Sequence, residues 1–121
     1  MNEITLKSND SNMIVKLQYS SQNIQSSLDE IFIGASLLDY EVRFSRVTSM
    51  GNYKYGVSNT REELTFYKGE KLHYLRFKFV DSSNRVIDFV EVFVDENYIK
   101  MYICNDEQSF LDALEKLKSN L

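Results

Sequence analysis

The sequence predicts a single α+β domain over residues 1–121, with a mainly antiparallel sheet, one helix after an N-terminal hairpin and a C-terminal helix packed on the sheet. The region 72–104 predicts the sheet, because it holds three apolar runs separated by the polar clusters 81–84 and 95–97. Two other regions, 24–38 and 110–121, repeat apolar residues at three- and four-residue spacing, as an amphipathic helix requires.

The N-terminal forty residues predict a hairpin and then a helix. Segments 4–7 and 13–19 flank the polar cluster 9–12, and apolar residues alternate with polar ones after it. Ser20 or Ser21 can cap the helix that follows, although Gly34 weakens its second half. Its apolar stripe consists of Ile24, Leu28, Ile31, Phe32, Ala35 and Leu38.

Period-two alternation returns at Tyr40, Val42 and Phe44, which predicts a strand. We expect a turn at 49–52 around Gly51, a short strand at 53–57, a polar connection at 58–63 and a further strand at 64–68. The next turn, 68–71, leads into the main sheet region.

The strands of the main sheet region differ in their two faces. Leu75, Phe77 and Phe79 share one face of the first strand, whereas Arg76 and Lys78 share the other, so this strand is predicted to be solvated on one side. The segment 85–94 is apolar on both faces, which predicts a central strand with a helix over one face. Only two carboxylates interrupt it, Asp88 and Glu91. We expect both to be buried and paired with Arg76, Lys78 or Lys100 on neighbouring strands. The alternative is that a buried carboxylate here marks a functional site.

The closing helix is predicted from its cap and its stripe. Asn105 or Asp106 can cap it, and Lys116 and Lys118 lie near its negative end. The stripe that must pack on the sheet is Phe110, Leu114, Leu117 and Leu121.

Catalytic chemistry has little support. His73 and Cys104 are the only histidine and cysteine, and we expect a structural histidine at a strand edge and a small buried hydrophobe. Two such ligands are too few for a zinc site, and the four glycines form no phosphate-binding motif. The sequence therefore predicts a protein that is not an enzyme and that needs no metal or cofactor.

Charge is unevenly distributed although the net charge is only −4. Residues 40–80 carry eight Lys/Arg against four Glu, whereas 81–121 carry four Lys/Arg against nine Asp/Glu. The first seven residues lack a basic start and an apolar core, and no long apolar window follows, so we expect a cytoplasmic protein without a membrane segment. Overall acidity disfavours nucleic-acid binding.

These observations favour stoichiometric binding to another protein, because eight tyrosines offer amphipathic contacts and the acidic C-terminal third can attract a basic partner. The general character is like that of bacterial immunity proteins, which inhibit toxins such as basic nucleases. No motif assigns the chain to one such family. A chaperone or adaptor for another bacterial protein and a single-strand nucleic-acid module using the basic segment 43–78 remain as alternatives. The predicted partner-binding residues are Asp81, Asp95, Glu96, Tyr98, Tyr102, Asp106 and Glu107.

Overall fold

The structure, a computed structural model, describes residues 2–52, 57–80 and 84–121. Antiparallel β1 and β2 form a small sheet, and β3 to β7 form a five-stranded antiparallel sheet in chain order. The α+β prediction is confirmed. The elements are β1 (Glu3–Lys7), β2 (Asn12–Lys16), α1 (Gln22–Leu37), β3 (Glu41–Asn52), β4 (Val57–Lys68), β5 (Lys71–Phe79), β6 (Ile87–Val94), β7 (Asn97–Ile103) and α2 (Glu107–Lys118).

The consecutive strands predicted within 72–104 are β5, β6 and β7. Turns as short as those between them leave no room for a crossover helix, so each strand pairs antiparallel with the one before it. β6 is an interior strand with α2 packed against it, as predicted, but β5 occupies the centre of the sheet.

Residues 41–52 and 57–68 form two long strands, which corrects the prediction for this part of the chain. The expected turn at 49–52 lies inside β3, and the expected connection at 58–63 lies inside β4. The two strands pair from Glu41 opposite Tyr67 to Asn52 opposite Val57, so their backbone groups bond across the ladder despite the polar sequence. Gly51 lies at a register shift, which explains why it resembled a turn residue. Of the short strand predicted at 53–57, residues 53–56 lie outside the described residues.

One face of the five-stranded sheet carries the core. Both helices and the small sheet pack against this face, which we call the covered face. The stripe predicted for α2 is confirmed, since its first three members are fully buried and Leu121 packs against them. Fully buried side chains of the large sheet on this face include Leu64, Phe66, Leu75, Phe77, Val90 and Val92.

The helix ends follow from local chemistry. Asp106 is the N-cap of α2, and its Oδ1 accepts a hydrogen bond of 2.8 Å from the backbone N–H of Ser109. Glu107 in the first turn and Lys118 in the last complement the helix dipole. The first helix, α1, continues through Gly34 to Leu37, because the packing of its buried face outweighs the low helix propensity of one glycine.

Two hairpin turns of the large sheet require left-handed backbone. Gly69, between β4 and β5, has φ 60°, and glycine adopts this conformation without steric cost. Asp95 and Glu96, between β6 and β7, have φ 49° and 67°. Positive φ at both central residues is the pattern of a type I′ turn, whose twist matches that of the strands.

A bulge at the start of β6 corrects the expectation for Asp88. Lys78 pairs with Phe89 and Phe79 pairs with Ile87, so Asp88 is an extra residue in the ladder. Its side chain is exposed, whereas Ile87 is buried. A strict period of two, which the sequence interpretation assumed, cannot place a bulged residue.

Candidate functional site

The other face of the five-stranded sheet has none of the described elements packed over it. We call it the open face, and define it by residues that share a side of the ladder. One row is Arg43, Thr65, Tyr74, Phe93 and Tyr98; the next is Ser45, Glu63, Arg76, Glu91 and Met101; a third holds Lys78, Phe89 and Ile103. Most of these side chains are half-buried or exposed.

Aromatic rings form a ladder across three strands of the open face. Tyr74 and Phe93 stack with ring centroids 4.3 Å apart, and Tyr98 meets Phe93 edge-on at 5.5 Å. The guanidinium of Arg76 lies 4.7 Å from the centre of the Phe93 ring. As a result Phe93 is only 8% exposed on a face without a covering helix, whereas Tyr98 is 54% exposed. Such rings combine apolar area with little loss of rotamer freedom on binding.

The arginines of the open face and its edges are paired with carboxylates. Arg76 Nε donates to Glu63 Oε2 at 2.7 Å, and Arg43 Nε donates to Glu41 Oε1 at 2.8 Å. These pairs leave the central part of the face nearly neutral.

Glu91 is half-buried, and its nearest cationic atom is Arg61 Nη1, 3.9 Å from Oε1. None of the three predicted partners forms an ion pair with it in the described part of the chain. Arg76 lies directly opposite Glu91 in the ladder but bonds to Glu63 on its other side.

Three predicted site residues lie together at one end of β7. Asp95 and Glu96 form the exposed turn before this strand, and Tyr98 follows them on the open face. This end therefore combines two carboxylates with an exposed aromatic ring.

The other predicted site residues lie elsewhere. Asp106 and Glu107 follow β7 at its opposite end, separated from the turn by the seven residues of the strand, about 20 Å. Asp106 caps α2, and Glu107 accepts a hydrogen bond of 2.7 Å from Asn23 Nδ2. Tyr102 lies on the covered face, where burial and the negative charge of Asp112 raise its pKa. Asp81 lies outside the described residues.

Apolar side chains are also exposed on β7 itself. Met101 is 40% exposed and Ile103 is 55% exposed, and both belong to the open face. Together with Tyr98 they form a partly apolar, exposed surface on the last strand of the sheet, next to the aromatic ladder. Exposed apolar groups that adjoin one another are typical of interaction surfaces.

A second apolar surface lies on the far side of the molecule. An open groove of about 420 Å³ runs between β1 and α1, and Leu37 at its rim is 80% exposed. Its lining is Lys7, Asp29, Phe32, Ile33, Ser36 and Leu37.

His73 and Cys104 are buried at different places. His73 is buried near the start of β5, the central strand, and its Nδ1 accepts a hydrogen bond of 3.0 Å from the backbone N–H of Asp95. Cys104 follows β7, where its own N–H donates to the carbonyl of Asp88 at 2.9 Å. Burial raises the pKa of the Cys104 thiol to about 12, so it is not an activated nucleophile at neutral pH.

Within residues 2–52, 57–80 and 84–121, no three side chains of the His, Cys, Asp or Glu types lie close enough together to hold a metal ion.

A buried carboxylate that the sequence did not indicate connects three parts of the fold. Glu62 in β4 accepts hydrogen bonds from Arg46 Nη2 at 2.9 Å and from Arg85 Nη1 at 3.0 Å. Arg85 Nε also donates to the carbonyl of Ile14 at 3.2 Å. Burial raises the pKa of Glu62, but the bonds from Arg85 and Arg46 and their charges lower it by more, so its net pKa is below the ordinary value. The cluster is a structural node that holds the small sheet to the large one.

The sequence interpretation missed Tyr74, Phe93 and Arg76 as members of one surface. The available signal was the alternation in β5, which correctly predicted one solvated side there. The same reasoning placed β6 under cover on both faces, although, in the part of the chain that the structure describes, only neighbouring side chains shield its open side.

Comparison of the chain with protein-family models, with curated proteins and with solved structures finds no match. Neither helix that the structure describes has the length and apolar character needed to cross a membrane.

Proposed function

We propose that this chain is a non-enzymatic protein-binding module that contacts its partner through the open face beside β7. The observation that carries the proposal is the aromatic ladder of Tyr74, Phe93 and Tyr98, which continues into the exposed side chains of Met101 and Ile103. Ordered aromatic rings beside exposed apolar groups are the usual centre of a protein interface.

Within this class we propose an immunity-type inhibitor of bacterial origin, which neutralises a toxin with a basic surface by stoichiometric binding in the cytoplasm. The acidic side chains at the two ends of β7 support a basic partner, since opposite charges speed encounter and orient the complex. A chaperone or adaptor would use the same surface and differs only in the identity of its partner.

A single-strand nucleic-acid module is the competing function. The stacking of Arg76 on Phe93 and of Arg43 on Tyr67 favours it, because such modules combine cations with aromatic platforms. We prefer protein binding because Arg43 and Arg76 are each already paired with a carboxylate, which removes the positive potential that phosphates require.

Photo-crosslinking tests the proposal. A photoreactive phenylalanine analogue replaces Tyr98 on the open face or, as the matched control, Leu37 on the groove of α1. We expect capture of one protein at Tyr98 and not at Leu37, and calorimetric titration of that protein should give a 1:1 complex. Capture at Leu37 alone, or tight salt-dependent binding of a thymidine oligonucleotide without protein capture, would contradict the proposal.

A further inference from the structure

The two edge strands of the five-stranded sheet, β3 and β7, differ in whether another part of the chain bonds to their outward backbone groups. At β3, both backbone groups of Val42 are occupied: its carbonyl accepts from the N–H of Asn9 at 2.9 Å, and its N–H donates to Asn9 Oδ1. The loop between β1 and β2 thus covers this edge at its start. At β7, the opposite edge, β6 is the sole neighbouring strand among the described elements.

The pairing of β7 with β6 determines which backbone groups of β7 face away from β6. The N–H of Cys104 donates to the carbonyl of Asp88 on the β6 side. Backbone groups alternate along a strand, so those of Ile103 and Met101 point outward from the sheet edge. An edge with outward N–H and C=O groups and exposed apolar side chains is a template for one more strand.

Charge at the two ends of this edge argues against a second copy of the chain. Asp95 and Glu96 precede β7, and Asp106 and Glu107 follow it. Antiparallel pairing of two copies centred on Met101 would set Glu96 of each copy opposite Asp106 of the other. Parallel pairing would set each acidic end beside its own equivalent. Like charges directly opposite one another destabilise both arrangements.

We propose that β7 accepts an extended segment of the partner protein as a sixth strand, and that this segment has an apolar middle and lysine or arginine at both ends. The inference rests on the proposed protein-binding function and specifies the partner's chemistry. Outward backbone groups of Met101 and Ile103 bond to the added strand, their side chains contact its apolar residues, and the acidic ends attract its basic ends.

A synthetic peptide tests this edge without knowledge of the partner. The probe is the fluorescent peptide Lys-Lys-Val-Thr-Val-Thr-Val-Lys-Lys, and its control has glutamate in place of every lysine. We expect saturable binding of the cationic peptide, observed by fluorescence anisotropy, and affinity for the control that is lower by about tenfold or more. Absence of saturable binding to the cationic peptide, or equal affinity for the two peptides, would overturn the inference.

Two variants at one position separate the backbone from the side chain. Met101→Pro removes the outward N–H, a change that an edge strand tolerates, whereas Met101→Ala shortens the side chain and keeps the N–H. We expect Met101→Pro to bind the cationic peptide about tenfold more weakly than Met101→Ala. Thermal unfolding verifies that both fold. If the proline variant does not fold, the double variant Asp95→Lys, Glu96→Lys replaces it. Its ratio of affinities for the anionic and the cationic peptide should be higher than that of the wild type.

Different results would refute strand addition at β7 and the proposed protein-binding function. A protein captured at Tyr98 that binds Met101→Pro and Met101→Ala equally well would refute strand addition and leave the protein-binding function standing. Failure of capture at Tyr98 refutes the function, whatever the peptides do.

Discussion

Tyr74 and Phe93 stack face to face across β5 and β6, with ring centroids 4.3 Å apart and ring planes inclined by 12°. Arg76 lies over Phe93 on the same face, and its guanidinium is held by Glu63. These contacts order the side chains of the open face before any partner arrives. Pre-ordered side chains lose less conformational entropy on binding, which favours this face as a recognition surface.

The stacked pair should stabilise the free protein measurably. We expect a double-mutant cycle of Tyr74→Ala and Phe93→Ala to show a coupling energy of about 1 kcal/mol, because stacked aromatic pairs contribute beyond their buried area. Urea unfolding of wild type, both single variants and the double variant provides the four free energies. Strictly additive losses would show that the two rings do not interact in solution.

Glu62 should be the most costly carboxylate to neutralise among those described. We expect Glu62→Gln to lower the free energy of unfolding by about 2 kcal/mol at pH 7, since it leaves Arg85 and Arg46 without their anion. The control is Glu30→Gln, because Glu30 forms an exposed pair with Lys118 and such pairs contribute little. Equal losses in the two variants would contradict the assignment of Glu62 as a structural node.

The pH dependence of this cluster follows from its lowered pKa. Since the pKa of Glu62 is lower in the folded than in the unfolded protein, the cluster stabilises above the ordinary glutamate pKa of about 4.3. That contribution is lost as the pH falls through the lowered pKa. The stability difference between wild type and Glu62→Gln should therefore shrink in acid.

His73 should make the fold sensitive to mild acid. Burial lowers the pKa of His73, and the positive charge of Lys71 lowers it further, while the Asp95 carboxylate acts in the opposite direction. A folded pKa below the unfolded value of about 6.5 means that stability is complete above that pH and falls as the pH drops towards the lowered pKa. Protonation would also remove the Nδ1 acceptor of the Asp95 N–H.

His73→Asn provides the test, because asparagine retains an acceptor but does not titrate. Denaturation at pH 7.5, 6.5 and 5.5 should show a decline in wild type that is smaller in the variant. Parallel declines in the two proteins would assign the effect to other groups.

Two glycine substitutions should have opposite effects. An added Cβ meets no atom within 4 Å at either Gly34 or Gly69, so neither effect arises from a clash. Gly34→Ala should stabilise by about 1 kcal/mol, because alanine is the better helix former. Gly69→Ala should destabilise by about 1–2 kcal/mol, because φ is 60° there. Thermal unfolding of both variants measures this, and a shift of the same sign in both would contradict it.

The sequence predicted those parts of the fold in which local pattern and tertiary packing agree. The alternation of β5 and the stripe of α2 are of this kind, and so is the cap of α2, since Asp106 is one of the two residues predicted for it. The interpretation failed at 49–52 and at 58–63, where polar segments are held in two long strands by mutual pairing, and at Asp88, where a bulge changes the side-chain period. Strand pairing and a bulge both depend on the neighbouring strand, so the sequence of one strand by itself does not predict them.

The candidate site was predicted only in part. Asp95, Glu96 and Tyr98 do lie together, because Asp95 and Glu96 form the two-residue turn that leads into β7 and Tyr98 is the second residue of that strand. Asp106 and Glu107 lie at the other end of the strand, and Tyr102 faces the opposite side. Which residues belong to the open face depends on which strands become neighbours and on which face of the sheet the helices cover. The alternation of apolar and polar residues along a strand predicts neither.

Hydrogen exchange at the amides of Met101 and Ile103 tests the central claim most directly. The comparison is between the free protein and its complex with the protein captured at Tyr98, with the amide of Val42, already bonded to Asn9, as the internal reference. The account predicts that exchange at Met101 and Ile103 slows by about tenfold or more in the complex, while Val42 is unchanged. Unchanged exchange at both β7 amides in a saturated complex would contradict it.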